Sequence, residues 1–398
     1  MPSLRTLTVA SMALAAAISA APVALSASAA TAHPTRDAVV CKHAGTARAR
    51  CFAIRVDRLA RGRVRHSATP LGYAPSDLAA AYDLPAAGTD AGSGETVAVV
   101  DAYDDPTAES DLALYRKQFH LPACTGASGC FRKVDERGGT DYPPADPGWS
   151  EEISLDVDMV SAVCPNCHIL LVEADTASMA NLGAAVDEAV ALGADAVSNS
   201  YGGPDAKDST YGRYYHHAGV AVTASAGDNG YGVSYPASSK WVTAVGGTTL
   251  SRSTSSRGFT ETAWTDGGSG CSDLNATTWQ SADVTGCDGR AVADVAAVAD
   301  PATGVAVYDS TPYESAVGWL TFGGTSASSP IIAAVFALAG NTTDVSDGSF
   351  VWEHQSVSSL WDVTGGSNGQ CPTVQWCQAR AGWDGPTGLG TPHGIAAF

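Results

Sequence analysis

One serine stands at the start of a predicted helix, a setting that suits a nucleophile. Residues 323–330 (GGTSASSP) follow a short apolar strand and open an apolar helix, and Ser326 falls at their centre. Backbone N–H groups at a helix N-terminus can stabilise a developing oxyanion. An ordinary Ser/Thr helix cap explains the same residues equally well. We place Pro330 in the first helical turn, the part of a helix that tolerates proline.

A serine nucleophile needs a base, and paired acids supply a candidate. Glu152 and Asp156 are four residues apart in a helix predicted over residues 150–163, so they share one face of that helix. Two carboxyls that lie close together tend to share a proton, and the pKa of one of them rises. We expect Ser150 to cap this helix and Asp158 to point elsewhere. A solvated acidic face is the alternative interpretation.

Further acids follow turns rich in glycine. Asp228 comes directly after a buried strand, in residues 225–230 (SAGDNG). Taken alone, it is better explained as a turn Asp that accepts a local hydrogen bond. Asp362 and Asp384 frame glycine-rich backbone near residue 382 and could supply oxygen ligands to a hard cation. Two capped turns would give the same pattern.

These four segments, in this order, resemble the sedolisins, or serine-carboxyl peptidases. The resemblance covers about residues 72–398, and its shorter matching segments are GYAPSDL at 72–78, SNSYG at 198–202, YPAS at 235–238, VGGT at 245–248 and DVA at 294–296. It implies a subtilisin-like α/β fold and a Ser-Glu-Asp triad that hydrolyses peptide bonds through an acyl-enzyme. It also implies action in acid, and model carboxyl pKa values suggest an optimum at about pH 3–5.

Residue by residue, the resemblance implies a role for each acid. Ser326 would be the nucleophile, and Glu152 would be the general base and then the general acid. Asp156 would orient Glu152. Asp228 would be the acid of the oxyanion hole, beside the Ser326 N–H, and it can donate a proton there only when it is protonated.

The resemblance also implies binding residues. An extended edge that pairs with substrate backbone would be formed by Ser200, Tyr201 and Gly202. One structural Ca²⁺ ion would be held by the side chains of Asp362 and Asp384 and by the carbonyls of Val363, Arg380 and Gly382. Arg380 replaces the usual glycine, so its carbonyl can serve only where the backbone angles suit a residue with a side chain.

Three departures from the family pattern concern activation and the active site. Sedolisins usually carry a large pro-domain, whereas about 40 residues separate the predicted signal peptide from the domain start here. The sequence therefore leaves the route of activation open. Asp101 stands where many relatives have Glu, and the sequence does not settle whether this shorter side chain reaches the triad. Tyr201 stands where many relatives have Trp.

Alternating strands and helices predict the scaffold: a mostly parallel sheet flanked by helices. We predict strands at 96–100, 169–173, 196–200, 219–226, 241–245 and 319–322, and helices at 107–120, 150–163, 178–192 and 326–339. In such sheets the functional residues lie at the carboxyl ends of the strands. Residues 251–290 are predicted to form a long loop.

The chain also carries signs of export. Residues 1–30 indicate a secretory signal peptide, with a membrane anchor as the alternative. Residues 31–71 would be a short pro-segment or N-terminal arm, and residues 72–398 the peptidase domain. Ten cysteines agree with an extracellular location, because disulfides persist in oxidising compartments. Local pairing is the simplest connectivity, although others are open: Cys41–Cys51, Cys124–Cys130, Cys164–Cys167, Cys271–Cys287 and Cys371–Cys377.

The charge balance of the chain limits the classes of partner that it can bind. The chain has 22 Lys and Arg against 41 Asp and Glu, a net charge of −19. Such an acidic protein lacks the basic surface that nucleic acids and anionic lipids require. We therefore expect neither nucleic acid nor a membrane as a partner. The resemblance to the sedolisins implies protein or peptide substrates, and a monomer is the default for a secreted peptidase.

Two rival functions fit parts of the sequence. A neutral subtilisin-like peptidase would use Asp101 with a histidine such as His216 or His217. None of the nine histidines, however, lies in the His-Gly-Thr-His segment typical of subtilisins. A secreted binding protein on a degenerate peptidase scaffold is the other rival, although all four catalytic positions are filled.

Overall fold

An eight-stranded sheet lies at the centre of the computed structural model, which describes residues 1–3, 35–41, 48–60, 63–64, 67–86, 88–356 and 358–398. The predicted signal peptide, residues 1–30, lies almost wholly outside these ranges. The described residues from 35 onward belong to one compact unit. Within the described part of the chain, no helix is both long enough and apolar enough to cross a membrane.

The elements are numbered in chain order. The strands are β1 (Thr35–Val39), β2 (Arg50–Cys51), β3 (Ile54–Ala60), β4 (Arg63–Val64), β5 (Thr96–Ala102), β6 (Phe131–Asp135), β7 (His168–Ala174), β8 (Ala196–Asn199), β9 (Tyr201–Pro204), β10 (Ala221–Ser225), β11 (Ser234–Tyr235), β12 (Thr243–Arg252), β13 (Phe259–Ala263), β14 (Gly270–Ser272), β15 (Arg290–Val292), β16 (Val295–Val298), β17 (Val305–Tyr313), β18 (Ala316–Gly323), β19 (Leu360–Trp361) and β20 (Thr391–Pro392). The helices are α1 (Pro75–Tyr82), α2 (Ala108–Gln118), α3 (Pro147–Val163), α4 (Met179–Ala191), α5 (Asp208–Tyr211), α6 (Ala282–Thr285), α7 (Thr325–Ala339) and α8 (Phe350–His354).

The central sheet has the strand order β13-β12-β10-β8-β5-β7-β6, with β16 also paired to β12. Its strands pair in parallel, except that β13 runs antiparallel to β12. Residues 97–100 of β5 are apolar and fully buried, as expected for a parallel strand covered on both faces. Helices α3 and α7 pack against each other, and α7 contacts β8 and β10. The predicted α/β fold with a mostly parallel sheet is confirmed.

The carboxyl ends of three neighbouring strands bring candidate residues together. Asp101 lies near the end of β5, Ser200 follows β8, and Asp228 follows β10. Because β10, β8 and β5 are adjacent and parallel, these residues meet at one edge of the sheet.

The strand predicted at residues 319–322 belongs to a different sheet. It is part of β18, which pairs antiparallel with β17 and with β3. The second sheet has the order β1-β3-β18-β17, with β4 beside β3. Strands β1 to β4 come from the segment predicted as a pro-segment or N-terminal arm, so in this structure that segment is paired into the fold.

Two other expectations need correction. Helix α3 begins at Pro147 and is capped by Asp146, whose side chain accepts the N–H groups of Gly148 and Trp149. Ser150 is therefore not the cap; its hydroxyl donates to the Asp146 carbonyl at 3.1 Å. The stretch over residues 251–290 is not only loop, because it contains β13, β14 and the short helix α6.

All five disulfides pair locally, which confirms the simplest connectivity. The bonds are Cys41–Cys51, Cys124–Cys130, Cys164–Cys167, Cys271–Cys287 and Cys371–Cys377. The first bond matters most for the site, because Cys51 lies beside the residues described next.

Candidate active site

Ser326 lies in the first turn of α7 and is fully buried. Its hydroxyl oxygen accepts the backbone N–H of Phe52 at 3.0 Å, and the hydroxyl donates to the Ser200 carbonyl at 3.1 Å. Within the described residues, the backbone N–H of Ser326 has no hydrogen-bond acceptor. The Ser326 side chain therefore lies beside its own backbone N–H, which is free to donate a hydrogen bond at the N-terminus of α7.

The sequence predicted Pro330 in the first turn of α7, and this prediction is wrong. Pro330 lies in the second turn. Because proline has no N–H, the Ser326 carbonyl four residues earlier lacks its helical partner. The Ser200 hydroxyl lies 3.3 Å from that carbonyl and 2.7 Å from Asp156 Oδ1. Ser200 therefore links the serine helix to the acids of α3.

Three fully buried acids form one cluster: Asp101 on β5, and Glu152 and Asp156 on α3. One carboxylate oxygen from each lies within 4.8 Å of the others. Both oxygens of Asp101, Oε1 of Glu152 and Oδ2 of Asp156 have no hydrogen-bond partner among the described residues. The shorter side chain of Asp101 does reach the pair, which the sequence left open.

Burial governs the titration of this cluster. Desolvation raises the pKa of Asp101 to about 8 and raises those of Glu152 and Asp156 well above the ordinary range. The neighbouring charge of Asp101 raises the pKa values of Glu152 and Asp156 further, while the nearby Ser326 hydroxyl and the Ala53 N–H lower that of Glu152. Protons shared between these acids would satisfy the oxygens that otherwise lack partners.

The neighbouring acid Glu151 is placed differently from Glu152. Its carboxylate pairs with the guanidinium of Arg55, which is itself buried and also bonds Asp57 at 2.7 Å. Glu152 instead accepts the N–H of Ala53 at 2.9 Å through Oε2. Glu151 therefore faces the ion pair with Arg55, whereas Glu152 faces the site of Ser326.

Asp228 follows β10, and its carboxylate contacts the first residue of α7. Its Oδ1 accepts both the N–H and the hydroxyl of Thr325 at 2.8 Å, while its buried Oδ2 has no partner among the described residues. Burial raises the pKa of Asp228 to about 7. A Cβ added to Gly324, which has φ +96°, would lie 1.8 Å from the Phe52 carbonyl oxygen and 2.7 Å from Asp228 Oδ2. Only glycine allows that approach.

The predicted substrate edge at Ser200, Tyr201 and Gly202 is paired with the chain itself. Strand β2 runs antiparallel to β9, with Cys51 opposite Tyr201 and Arg50 opposite Gly202. The Phe52 N–H also lies 3.3 Å from the Ser200 carbonyl. The Tyr201 side chain is buried, and its hydroxyl donates to Asn199 Oδ1 at 2.7 Å. A substrate could therefore pair only with the backbone of this edge, which β2 occupies in this structure.

Sequence reasoning missed residues 50–53, although Phe52 is hydrogen-bonded to Ser326 and Ala53 to Glu152. Two signals were present in the sequence: the pair Cys41/Cys51, and an alternating run from Ile54 to Asp57 that suits a strand. Neither signal indicates which distant element the segment meets.

The histidines named by the rival hypothesis lie elsewhere. His216 stacks on Trp241, with ring centroids 3.6 Å apart. His217 lies 3.2 Å from Asp187 and 3.0 Å from the Tyr214 carbonyl. Neither has a hydrogen bond to Ser326 in the described part of the chain. A histidine base for this serine gains no support.

The five residues implied for calcium lie in two adjoining loops. Asp362 Oδ2 accepts the Gly382 N–H at 3.0 Å, and Asp384 Oδ2 accepts the Arg380 N–H at 2.9 Å. No described residue donates to the carbonyls of Val363, Arg380 or Gly382. Arg380 is not among the described non-glycine residues with positive φ. Two acids and three free carbonyls fit an oxygen-coordinated cation.

Comparison with known proteins finds similar sequences and structures. Residues 146–360 match the model of the subtilase family. The chain is 33% identical to kumamolisin from Bacillus sp. (strain MN-32) in an alignment 374 residues long, which covers 83% of this chain and 63% of that protein. It is 35% identical to sedolisin from Pseudomonas sp. (strain 101) in an alignment 178 residues long, which covers 40% of this chain and 29% of that protein. The chain thus spans about three fifths of kumamolisin's length.

Solved structures show the same fold. The structure of Pseudomonas sedolisin, a serine-carboxyl proteinase complexed with two molecules of pseudo-iodotyrostatin, matches with a TM-score of 0.67 and 24% identity. That match covers 82% of this chain and 96% of the other. The S41 psychrophilic protease matches with a TM-score of 0.51 and 17% identity, over 82% of this chain and 99% of the other.

Proposed function

Because the chain belongs to the sedolisin family, which has the subtilisin-like fold, we propose that it is a secreted serine-carboxyl endopeptidase that acts in acid. One observation carries the proposal: Ser326 lies between a buried carboxyl cluster and the buried acid Asp228, and no histidine is hydrogen-bonded to it in the described part of the chain. The substrates we propose are proteins or peptides. Neither nucleic acid nor membrane takes part, and the enzyme acts as a monomer.

The positions of the side chains support the following mechanism. Ser326 Oγ attacks the carbonyl carbon of the substrate while Glu152 takes the hydroxyl proton on the free oxygen Oε1. Asp228 Oδ2–H and the Ser326 N–H stabilise the oxyanion. Glu152 then protonates the leaving amine, and water releases the acyl group by the reverse sequence. Asp156 and Asp101 are positioning residues that hold the shared proton.

A site that uses carboxyl groups in place of a histidine works only when each carboxyl group is in the required protonation state. Glu152 must be the ionised member of its carboxyl cluster, with the shared protons on Asp101 and Asp156, in order to accept a proton, and Asp228 must be protonated to donate one. Burial raises the pKa of Asp228 to about 7, although the hydrogen bonds from Thr325 and the charge of Arg50 lower it. The donor is therefore fully present in acid and is lost as the pH rises through about 7.

Asp228→Asn should change the shape of the pH profile, because an amide donates an N–H without titrating. We expect kcat/KM of the wild type to fall about tenfold per pH unit above pH 7, as one required proton is lost. The Asn variant should be slower at pH 4 by about 10²-fold but should lack that fall. Steady-state hydrolysis of one peptide from pH 3 to 9 measures both curves. Loss of activity at the same pH in both proteins would contradict the role of Asp228.

The two loops near the C-terminus are proposed to hold one structural Ca²⁺ ion. Asp362 and Asp384 would bind through their carboxylates, and Val363, Arg380 and Gly382 through their carbonyls. The ion would neutralise the two acids and tie the loops together. We propose no role for the Ca²⁺ ion in the bond-breaking steps.

Removal of the ion should lower the melting temperature. We expect a chelator at pH 6 to lower Tm by about 5 °C, since a ligand at 100 times its Kd stabilises the folded state by about 2.7 kcal/mol. Asp362→Asn should melt at the lower temperature with or without chelator. Asp288→Asn, at an exposed acid elsewhere, is the matched control and should respond like the wild type. Equal Tm values with and without chelator in the wild type would refute the site.

Export is the remaining part of the proposal. The disulfides suit an oxidising compartment, and the composition of residues 1–30 suits a signal peptide. Residues 31–71 would then be a short pro-segment or N-terminal arm, and residues 72–398 the peptidase domain.

Digestion of an unfolded protein tests the function as a whole. We expect the purified protein, supplied with calcium, to cut a denatured protein at pH 4 at internal bonds, giving peptides of several residues by mass spectrometry. Release of single residues from one end would contradict endopeptidase action. The absence of any product from pH 2 to 9 would favour the binding-protein alternative instead.

A further inference from the structure

We propose that Thr325 is a positioning residue for the oxyanion acid: its two hydrogen bonds to one oxygen of Asp228 keep the proton of the acid on the other oxygen and set the upper pH limit of the activity. The inference rests on the proposed peptidase function, and it names the residue that controls protonation of that site. It is carried by four hydrogen bonds that join Thr325 to residues 225–228.

Thr325 connects the helix of the nucleophile to the end of a central strand. It is the first residue of α7, it is fully buried, and it directly precedes Ser326. The Ser225 hydroxyl donates to the Thr325 carbonyl at 2.7 Å, and the Gly227 N–H donates to the Thr325 hydroxyl oxygen at 3.1 Å. The Thr325 N–H and hydroxyl both donate to Asp228 Oδ1 at 2.8 Å. One residue therefore fixes the position of the acid relative to the nucleophile.

These contacts decide which oxygen of Asp228 carries the proton. A carboxyl oxygen has two lone pairs, and both lone pairs of Oδ1 accept a hydrogen bond from Thr325. A proton on Oδ1 would leave one of these two buried donors without an acceptor, which is costly. Oδ2 has no hydrogen-bond partner among the described residues, so a proton on Oδ2 displaces nothing.

The Oδ2 atom lies on the side of the site where the oxyanion forms. A Cβ added to Gly324 would lie 2.7 Å from Oδ2, and Gly324 caps the helix that carries Ser326. The Ser326 N–H, which has no acceptor in the described part of the chain, belongs to the same helical turn. A proton on Oδ2 can therefore be donated to an oxyanion beside that N–H, whereas a proton on Oδ1 would face Thr325.

The same hydrogen bonds also limit the pH range over which the acid stays protonated. Burial raises the pKa of Asp228 to about 7, whereas the two hydrogen bonds from Thr325 lower it because they stabilise the ionised form. The charge of Arg50 on β2 also lowers this pKa, and the charge of Asp266, in the loop after β13, raises it. The charge of Asp228 in turn raises the pKa of Glu152 on α3. Loss of the Thr325 hydroxyl should therefore let Asp228 hold its proton to a higher pH.

Thr325→Val removes the hydroxyl and keeps the branched shape of the side chain. We expect the fall of kcat/KM at high pH to begin about one pH unit above that of the wild type, because the carboxylate loses one hydrogen bond. In acid, kcat/KM should fall about tenfold, less than in Asp228→Asn, because the acid is still present but its proton is no longer confined to Oδ2. The two profiles should therefore converge at about pH 9. Steady-state hydrolysis of one peptide from pH 3 to 9 measures both effects.

Matched variants separate this role from a merely structural one, which would lower the whole profile without moving its fall at high pH. Thr325→Ser keeps the hydroxyl, so the fall should stay at the pH of the wild type. Thr325→Ala removes the hydroxyl and should move the fall in the same direction as Thr325→Val, so the result does not depend on how valine packs. Ser225→Ala removes the hydrogen bond to the Thr325 carbonyl and should lower Tm without moving the fall. Thr325→Val should move nothing in an Asp228→Asn background, because the amide does not titrate.

The outcomes distinguish failure of the inference from failure of the function. Peptide hydrolysis whose fall at high pH is the same in the wild type, Thr325→Val and Thr325→Ala would overturn the inference and leave the peptidase function standing. A shift in Thr325→Ser equal to that in Thr325→Val would also overturn it, because serine retains the hydroxyl. No peptide hydrolysis by the wild type at any pH would overturn both.

Discussion

Ser326→Ala is expected to lose at least about 10⁴-fold in kcat for peptide hydrolysis at pH 4, with little change in fold. The residual activity would come from substrate binding and the oxyanion donors alone, because no other described hydroxyl lies in the first turn of α7 next to both Glu152 and a free N–H. The side chain loses one oxygen and leaves little empty space. Steady-state kinetics on a single peptide, with Tm as the check on folding, measures the effect.

Ser328→Ala is the matched control on the same helix. Its hydroxyl donates to the carbonyls of Ala297 and Val298 at 3.2 Å, on the side of α7 away from the acids. We expect kcat close to that of the wild type and a small fall in Tm. If Ser326→Ala kept more than a few per cent of the activity, another residue would have to be the nucleophile.

Glu152→Gln is expected to lower kcat by at least about 10³-fold at every pH between 3 and 7. Glutamine has nearly the same shape and can still accept the Ala53 N–H, but it cannot take the serine proton or return it to the leaving amine. The loss should therefore appear in kcat more than in KM. Hydrolysis rates at saturating and at low peptide concentration separate the two.

Glu151→Gln provides the control next in sequence. It removes the charge that faces Arg55, a buried ion pair, so we expect a lower Tm. Its kcat should stay within about tenfold of the wild type where the protein is folded, because the Glu151 side chain faces away from Ser326. Equal kinetic losses in both variants would mean that the acids of α3 act through stability alone.

The sequence predicted the parts of the site that depend on local spacing. Glu152 and Asp156 share a face because they are four residues apart in a helix, and Ser326 lies at a helix start because glycines precede it and an apolar run follows. The parallel sheet followed from short apolar strands that alternate with helices. The cap at Asp146 could also have been predicted, since an Asp followed by Pro147 is a common helix start.

The missing parts depend on contacts between distant residues. Phe52 and Ser326 are 274 positions apart, and Ala53 and Glu152 are 99 apart. Strand pairing over such separations is decided by packing rather than by local pattern. Whether Asp101 reaches Glu152 and Asp156 likewise depends on the distance between β5 and α3. That distance cannot be deduced from the residue types.

The pH dependence of peptide hydrolysis tests the account most directly. The measurement is kcat/KM of the wild type and of Glu152→Gln from pH 2 to 9, on protein whose N-terminus has been determined and which is supplied with calcium. The account predicts activity in acid that disappears as the pH rises through about 7, the pKa to which burial raises Asp228, and almost no activity in the variant. Activity that increases above pH 7 and survives Glu152→Gln would contradict it and would require a base other than a carboxylate.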